Sequence, residues 1–158
     1  MVWLKALLFT LVAPVTVVLW VPLWLLGWSY PRPALLLQWL GLLPIALGAA
    51  VYLWCVWNFA ARGQGTPAPI DPPKTLVVQG LYRWVRNPMY MGIGLVLMGE
   101  TLLFGSGSLL LYTLLVLLTC HLFVILYEEP TLRRRFGQAY EDYCRTVPRW
   151  VPRFKKQP

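Results

Sequence analysis

The chain has 158 residues, of which 58% are hydrophobic, and its formal net charge is +8. A soluble domain of this length has too little interior to remove so much apolar surface from water. The composition therefore excludes an ordinary soluble domain and predicts a single domain embedded in a lipid bilayer.

Four apolar stretches are predicted to cross the bilayer, since a spanning helix needs about 20 mostly apolar residues. They cover roughly residues 2–28, 34–61, 88–104 and 109–127. Pro14 and Pro22 are expected to kink the first stretch, which membrane helices tolerate. A signal peptide is the alternative for this stretch, but the run is too long and no Ala-x-Ala cleavage site follows it. The predicted fold is an all-α integral membrane protein with about four transmembrane helices.

Basic residues are concentrated on one side of this topology. With four crossings, the N-terminus, the second connection and the C-terminal tail share a side and carry all but one of the 14 lysines and arginines. The positive-inside rule predicts a multi-pass protein with both termini in the cytoplasm. The charge is explained by topology and attraction to anionic lipids. No nucleic-acid partner is expected, because no binding motif accompanies it.

A proline-rich segment divides the chain. Residues 63–73 read GQGTPAPIDPP and are expected to form an extended linker along the membrane surface. We therefore separate a scaffold of two helices at residues 1–61, a cytoplasmic loop at 62–87, and a transmembrane hairpin with a C-terminal helix at 88–158. The three cysteines lack metal-ligand spacing, so no metal site is expected.

The segment from 128 to 145 is polar and is predicted to continue the fourth span as an amphipathic cytoplasmic helix. Leu132, Phe136, Tyr140 and Tyr143 recur at spacings of four and three, which places them on one stripe. This helix is expected to lie on the bilayer surface or to cap the helix bundle.

The third span begins with a stretch suited to an anion. Asn87 is a good N-cap and Pro88 a good first helical residue. The unpaired N–H groups and the positive dipole end of a helix favour a carboxylate there. Gly92 and Gly94 lie slightly deeper and allow close approach of a ligand or, alternatively, of another membrane helix.

Two adjacent carboxylates, Glu128 and Glu129, are predicted to lie at the cytoplasmic end of the fourth span, where Pro130 marks a bend. They oppose the dipole of a helix C-terminus and repel each other, so a cation should offset them. The two candidates are Arg133 and a ligand that carries an ammonium or sulfonium group.

The single histidine, His121, lies two turns before Glu128 and is expected on the same helix face, about 10 Å away. A hydrogen-bonded packing role is favoured over proton transfer or substrate contact. Glu100 lies about 18 Å along the third span from Pro88. It is either a structural partner or the lining of a polar cavity.

Several short elements follow one another between residues 74 and 149. They are Gly80-x-Tyr82, Arg86-Asn-Pro-x-Tyr90-x-Gly92, Glu128-Glu129-x-x-Leu132, Phe136-Gly137, Tyr140, Tyr143 and Val147-Pro-Arg149. Together they resemble the isoprenylcysteine carboxyl methyltransferase family. Gly92-x-Gly94 and the acidic pair are similar to elements of the phospholipid N-methyltransferases.

The resemblance implies an enzyme that holds S-adenosylmethionine at the cytoplasmic membrane face and methylates a lipophilic acceptor. The matching cofactor positions are Leu76, Val77, Gly80, Tyr82, Asn87, Pro88, Tyr90, Gly92, Gly94, Glu128 and Glu129. The family usually has histidine where this chain has Asn87. Asparagine suffices if this position holds the cofactor by its backbone or a simple hydrogen bond; a direct imidazole contact would imply a different acceptor choice.

Methyl transfer is an in-line displacement that depends mainly on positioning the acceptor atom about 3–3.5 Å from the methyl carbon. A carboxylate acceptor needs no base, whereas an amine or thiol must lose a proton. We name no catalytic base and take Arg86, His121 and Arg133 as candidates for orienting the acceptor.

Two alternatives belong to other classes of protein. A sterol-type reductase that uses NADPH has a similar C-terminal half but tends to carry a His-x-x-Arg-Asp stretch where this chain has Tyr127-Glu-Glu129. A non-catalytic membrane protein on the same scaffold is the other alternative.

Overall fold

The computed structural model of the chain describes residues 12–29, 33–62 and 76–152, and the regular elements in these ranges are all helical. The helices are α1 (Val12–Leu25), α2 (Leu42–Arg62), α3 (Pro88–Phe104), α4 (Gly107–Phe136) and α5 (Gln138–Thr146). Short 3₁₀ turns cover Leu36–Gly41 and Gly80–Arg83. The all-α prediction is confirmed for these ranges, whereas the predicted linker at 63–73 lies outside them.

Among the described residues, two helical stretches are long and apolar enough to cross a membrane. Leu36–Asn58 has a mean hydropathy of 1.9 and Gly107–Phe136 one of 2.6, yet only 22% and 17% of their most apolar windows are buried. Side chains such as Leu111 and Leu126 are exposed. So large an exposed apolar surface is unfavourable in water and indicates a membrane protein.

The shorter apolar helices α1 and α3 leave the number of crossings open. Both fall within 10–17 residues, below the length of a typical span. The predicted first span begins at residue 2, and its first ten residues lie outside the described ranges. About four crossings and cytoplasmic termini therefore stay predictions.

Glycines bring α2 and α3 into backbone contact at two levels. A Cβ on Gly48 would lie 2.4 Å from the carbonyl oxygen of Gly92, and one on Gly41, just before α2, would lie 2.4 Å from that of Gly99. The contacts pair rising numbers in one helix with falling numbers in the other, so the helices are antiparallel. Small residues allow this close packing of membrane helices.

A π-helical turn, Thr16–Trp20, interrupts α1 just before Pro22. Proline cannot donate the backbone hydrogen bond that a regular helix needs, and a wider turn accommodates the missing bond. The irregularity lies beside one of the two prolines predicted to kink this helix. The Tyr112 hydroxyl of α4 donates to the Val17 carbonyl at 3.0 Å and ties α1 to the hairpin.

Helix α4 continues through the acidic pair. It is α-helical over Gly107–Phe123, π-helical over Val124–Glu128, and α-helical again over Glu129–Phe136. Pro130 lies just after the π turn, as Pro22 does in α1, and the wider turn accommodates its missing N–H. The expectation that the two glutamates lie at a helix C-terminus is therefore wrong.

Gly137 divides the predicted C-terminal amphipathic helix in two. Its φ of 52° and ψ of −128° lie in a region that essentially only glycine adopts. The predicted stripe nevertheless comes together across the break: Tyr140 and Tyr143 are buried with Val147. Partly buried hydrophobic residues pack against them, namely Leu76, Leu132, Phe136 and Cys144. This small core favours the capping role over a helix that lies free on the bilayer surface.

Candidate cofactor site

Three segments meet where α3 begins: the start of α3, the acidic pair of α4, and the residues that follow α5. The backbone N–H of Arg86 donates to the Pro148 carbonyl at 2.9 Å. The Asn87 Nδ2 donates to the Arg149 carbonyl at 3.2 Å. Residues more than 60 positions apart in the sequence therefore contribute to one site.

Tyr90 and Glu128 connect α3 to α4. The Tyr90 hydroxyl donates to Glu128 Oε2 at 3.0 Å, and both residues keep part of their surface exposed. The structure thus brings together an aromatic residue and an acid that were both predicted as cofactor positions. Since the phenol holds one carboxylate oxygen, Glu128 is oriented while still accessible to a ligand.

Glu129, in contrast, is buried and fully engaged by arginines. Arg149 binds it in a two-pronged geometry, with Nε 2.6 Å from Oε1 and Nη2 2.9 Å from Oε2, and Arg86 Nη1 lies 3.0 Å from Oε1. The hydrogen bonds to Glu129 raise the pKa of Arg149 above its usual range. The predicted partner, Arg133, pairs with Glu141 instead, at 3.3 Å. The cations that offset the acidic pair thus come mainly from outside its own helix.

Asn87 occupies the N-cap position of α3, but its side chain makes no capping hydrogen bond. Asn87 thus stands at the predicted N-cap position, but the predicted capping hydrogen bond is wrong. The side-chain amide donates to the Arg149 carbonyl instead. Pro88 follows as the first helical residue, as predicted. The N–H groups of the first turn therefore donate no hydrogen bond to the Asn87 side chain.

Gly80 and Tyr82 belong to a turn that packs in space between α2 and α5. Gly80 has a φ of +60°, and a Cβ there would lie 3.3 Å from Asn58 Nδ2 and Trp54 Nε1 on α2. The Tyr82 carbonyl accepts a hydrogen bond from the Tyr143 hydroxyl at 2.7 Å. Burial raises the pKa of the Tyr143 phenol, which favours its protonated, donating form. Contacts with α2 on one side and with α5 on the other therefore hold this turn in place.

The remaining predicted positions have packing contacts. Leu76 packs against the aromatic core beside α5, and Val77 is half-buried next to it. Gly92 faces the backbone of α2, and a Cβ on Gly94 would lie 2.8 Å from Leu117 of α4. Helix packing accounts for both glycines.

His121 is hydrogen-bonded, as the favoured interpretation expected. The Trp150 Nε1–H donates to His121 Nδ1 at 3.1 Å, and the ring centroids are 5.9 Å apart. Indole is a donor only, so the imidazole accepts at Nδ1 and carries its proton on Nε2.

Arg86 is held inside the site. Its Nη1 donates to Glu129 and, at 2.9 Å, to the Cys144 sulfur. Its Nε is buried and has no hydrogen-bond partner in the part of the chain that the structure describes. The same holds for Oε2 of Glu100, near the other end of α3.

Arg149 and Trp150 were not predicted as site residues. The Val147-Pro-Arg149 element of the resemblance was the only sequence signal for Arg149, and no signal pointed to Trp150. Arg149 contacts a residue 20 positions away in the sequence, and Trp150 contacts one 29 positions away. Local sequence patterns do not predict contacts at such separations.

The fold and the site together define an integral membrane protein with a polar site where α3 begins and the acidic pair of α4 lies. The phospholipid methyltransferase family model matches residues 36–139, more than half of the chain. The chain belongs to this family.

The chain is also similar to part of one relative. It is 36% identical over 77 residues to a protein-S-isoprenylcysteine O-methyltransferase of Schizosaccharomyces pombe. The match covers 49% of this chain, and the chain spans about a third of the length of that relative (33%). No solved structure shows significant similarity. The predicted resemblance to both groups of membrane methyltransferases is confirmed.

Proposed function

We propose that the chain is an S-adenosylmethionine-dependent methyltransferase that acts on a lipophilic acceptor at the cytoplasmic membrane face. The family supports methyl transfer, and the name of the relative supports a lipidated acceptor with a carboxylate. The observation that carries the proposal is the contact of Tyr90 with Glu128 beside the start of α3. It joins an accessible carboxylate to a helix N-terminus.

The charges of this region suit the methyl donor. S-adenosylmethionine carries a carboxylate, for which the first turn of α3 is a suitable partner. It also carries an ammonium group and ribose hydroxyls, which a carboxylate such as Glu128 can bind. Glu129 is occupied by two arginines, so we assign the ligand role to Glu128 and a structural role to Glu129.

The acceptor is expected to approach from the lipid, since α4 exposes a largely apolar surface beside the site. Arg86 and Arg133 pair with glutamates and His121 accepts a hydrogen bond from Trp150, so we assign the acceptor contact to none of the three candidates. A carboxylate acceptor reacts without a base, and positioning then provides most of the acceleration.

The family match is to methyltransferases and does not favour the NADPH-dependent reductase. Ligand binding distinguishes the proposed methyltransferase from a non-catalytic protein on the same scaffold. S-adenosylhomocysteine, the demethylated product of the donor, is the suitable probe.

The test is calorimetric titration of S-adenosylhomocysteine into the full chain in lipid nanodiscs. Wild type should bind, and Glu128→Gln should weaken binding about tenfold or more, as expected for a charged hydrogen bond. Glu100→Gln is the matched control, because this buried carboxyl lies about 18 Å along α3 from Pro88. Binding of NADPH without binding of S-adenosylhomocysteine would overturn the proposal, as would equal affinities of wild type and Glu128→Gln.

A further inference from the structure

The residues Pro148–Trp150, which we call the clasp, bind both helices of the site. The Pro148 and Arg149 carbonyls accept hydrogen bonds from Arg86 and Asn87 at the start of α3. The side chains of Arg149 and Trp150 bind α4 through Glu129 and His121. The clasp thus links the two helices that carry Tyr90 and Glu128.

The two contacts with α4 lie on opposite sides of its π turn. His121 belongs to the α-helical part before Val124–Glu128, and Glu129 is the first residue after it. In a regular α-helix, residues eight apart differ by about 80° around the axis, and residues seven apart by only about 20°. Because a π turn takes up one additional residue, His121 and Glu129 share a face as residues seven apart would.

The same shift turns Glu128 away from the face of His121. The sequence had placed these two residues on one face, as a regular helix would. Instead, Glu128 bonds to Tyr90, while Glu129 bonds to Arg149, next to the residue that holds His121. The direction of Glu128 therefore depends on the π turn being kept.

We propose that the clasp holds α4 in its π-turn register and that Arg149 and Trp150 are positioning residues which aim Glu128 at the cofactor site. This inference rests on the proposed function. Pro130 follows this π turn as Pro22 follows that of α1, so its missing N–H favours a wide turn, and contacts on both sides of the turn then hold its register. The two-pronged bond of Arg149 to a buried carboxylate, together with the indole bond on the other side, supplies such contacts.

Two variants break one contact each: Arg149→Met removes the bond to Glu129, and Trp150→Phe removes the indole N–H. Arg145→Met is the matched control, since Arg145 is exposed and pairs only locally with Asp142. Amide hydrogen exchange at residues 124–129 should be at least tenfold faster in both variants than in the control. Unchanged exchange would overturn the proposal whether or not the chain binds S-adenosylhomocysteine.

The second readout separates positioning from general loss of structure. Arg149→Met and Glu128→Gln should each weaken S-adenosylhomocysteine binding about tenfold, and the double variant should be no more than about threefold weaker than either. A hundredfold loss in the double variant would show independent effects and contradict the inference. If Arg149→Met does not fold, Trp150→Phe combined with Glu128→Gln provides the same comparison. If wild type itself does not bind, the proposed function fails, and hydrogen exchange alone decides the role of the clasp.

Discussion

The hydroxyl of Tyr90 on α3 donates a 3.0 Å hydrogen bond to Oε2 of Glu128 on α4, across 38 residues of sequence. This bond orients the one carboxylate of the acidic pair that arginines do not occupy. It also makes the two helices act together in the proposed site.

Removing the Tyr90 hydroxyl should weaken cofactor binding without unfolding the chain. Tyr90→Phe keeps the ring but loses a hydrogen bond to a charged group, which corresponds to about 1.5 kcal/mol, or about tenfold in affinity. Titration with S-adenosylhomocysteine measures the change. Tyr127→Phe is the control, because Tyr127 is half-exposed on α4 and its ring packs on Phe123. Equal affinities of the two variants would mean that the phenol does not orient a ligand-binding acid.

Glu129→Gln should affect stability rather than ligand binding alone. It leaves Arg86 and Arg149 in the site without their shared counter-ion, and unpaired buried charges are costly. We expect a loss of about 2–3 kcal/mol, reduced from the fully buried case because Arg149 is partly exposed. Thermal unfolding in nanodiscs measures it, with Glu128→Gln as the comparison. A variant as stable as Glu128→Gln would show that the arginines do not need this carboxylate.

Substitutions at Asn87 should show whether its side chain acts as a hydrogen-bond donor. The side-chain amide donates to the Arg149 carbonyl, so Asn87→Asp loses the donor and adds a negative charge beside that oxygen. Asn87→His restores the residue usual in the family and can donate from an imidazole N–H. We expect S-adenosylhomocysteine binding within about threefold of wild type for Asn87→His and about tenfold weaker for Asn87→Asp. Weaker binding by Asn87→His than by Asn87→Asp would exclude the role of the Asn87 side chain as a donor.

The close contact between α2 and α3 at Gly48 should leave no room for an added methyl group. In Gly48→Ala, the Cβ would lie 2.4 Å from the Gly92 carbonyl oxygen, so the helices must separate. Such overpacking costs about 1–3 kcal/mol. Gly107→Ala is the control, since a Cβ there has nothing within 4 Å. Thermal unfolding should rank Gly48→Ala well below Gly107→Ala; equal stabilities would mean that α2 and α3 do not meet at these glycines.

The sequence predicted those parts of the fold that depend on local patterns. The apolar run after Asn87 and Pro88 ends at Gly105, so the predicted bounds of the third span agree with α3. The apolar stripe of the C-terminal segment likewise predicted which side chains meet in the small core. Local capping rules failed at the Asn87 side chain, where a tertiary partner, the Arg149 carbonyl, replaced the helix N–H groups.

The parts that the sequence did not predict depend on distant contacts. The π turn before Glu129 adds one residue to a turn. Pro130 follows it as Pro22 follows the π turn of α1, but a proline in the sequence does not by itself predict a π turn. The π turn changes which glutamate faces Tyr90 and which faces the arginines. The pairing of Glu129 with Arg149 also needed the break at Gly137, which a stripe of regular period does not reveal.

The most direct test of the proposed site is photo-crosslinking of S-adenosylmethionine, labelled in its methyl group, to the full chain in nanodiscs, followed by mass spectrometry of the labelled peptides. We predict label in the peptides that contain Tyr90 and Glu128, and its loss when unlabelled S-adenosylhomocysteine is added. Label confined to peptides from the opposite end of the α3–α4 hairpin, around residues 98–113, would contradict the account.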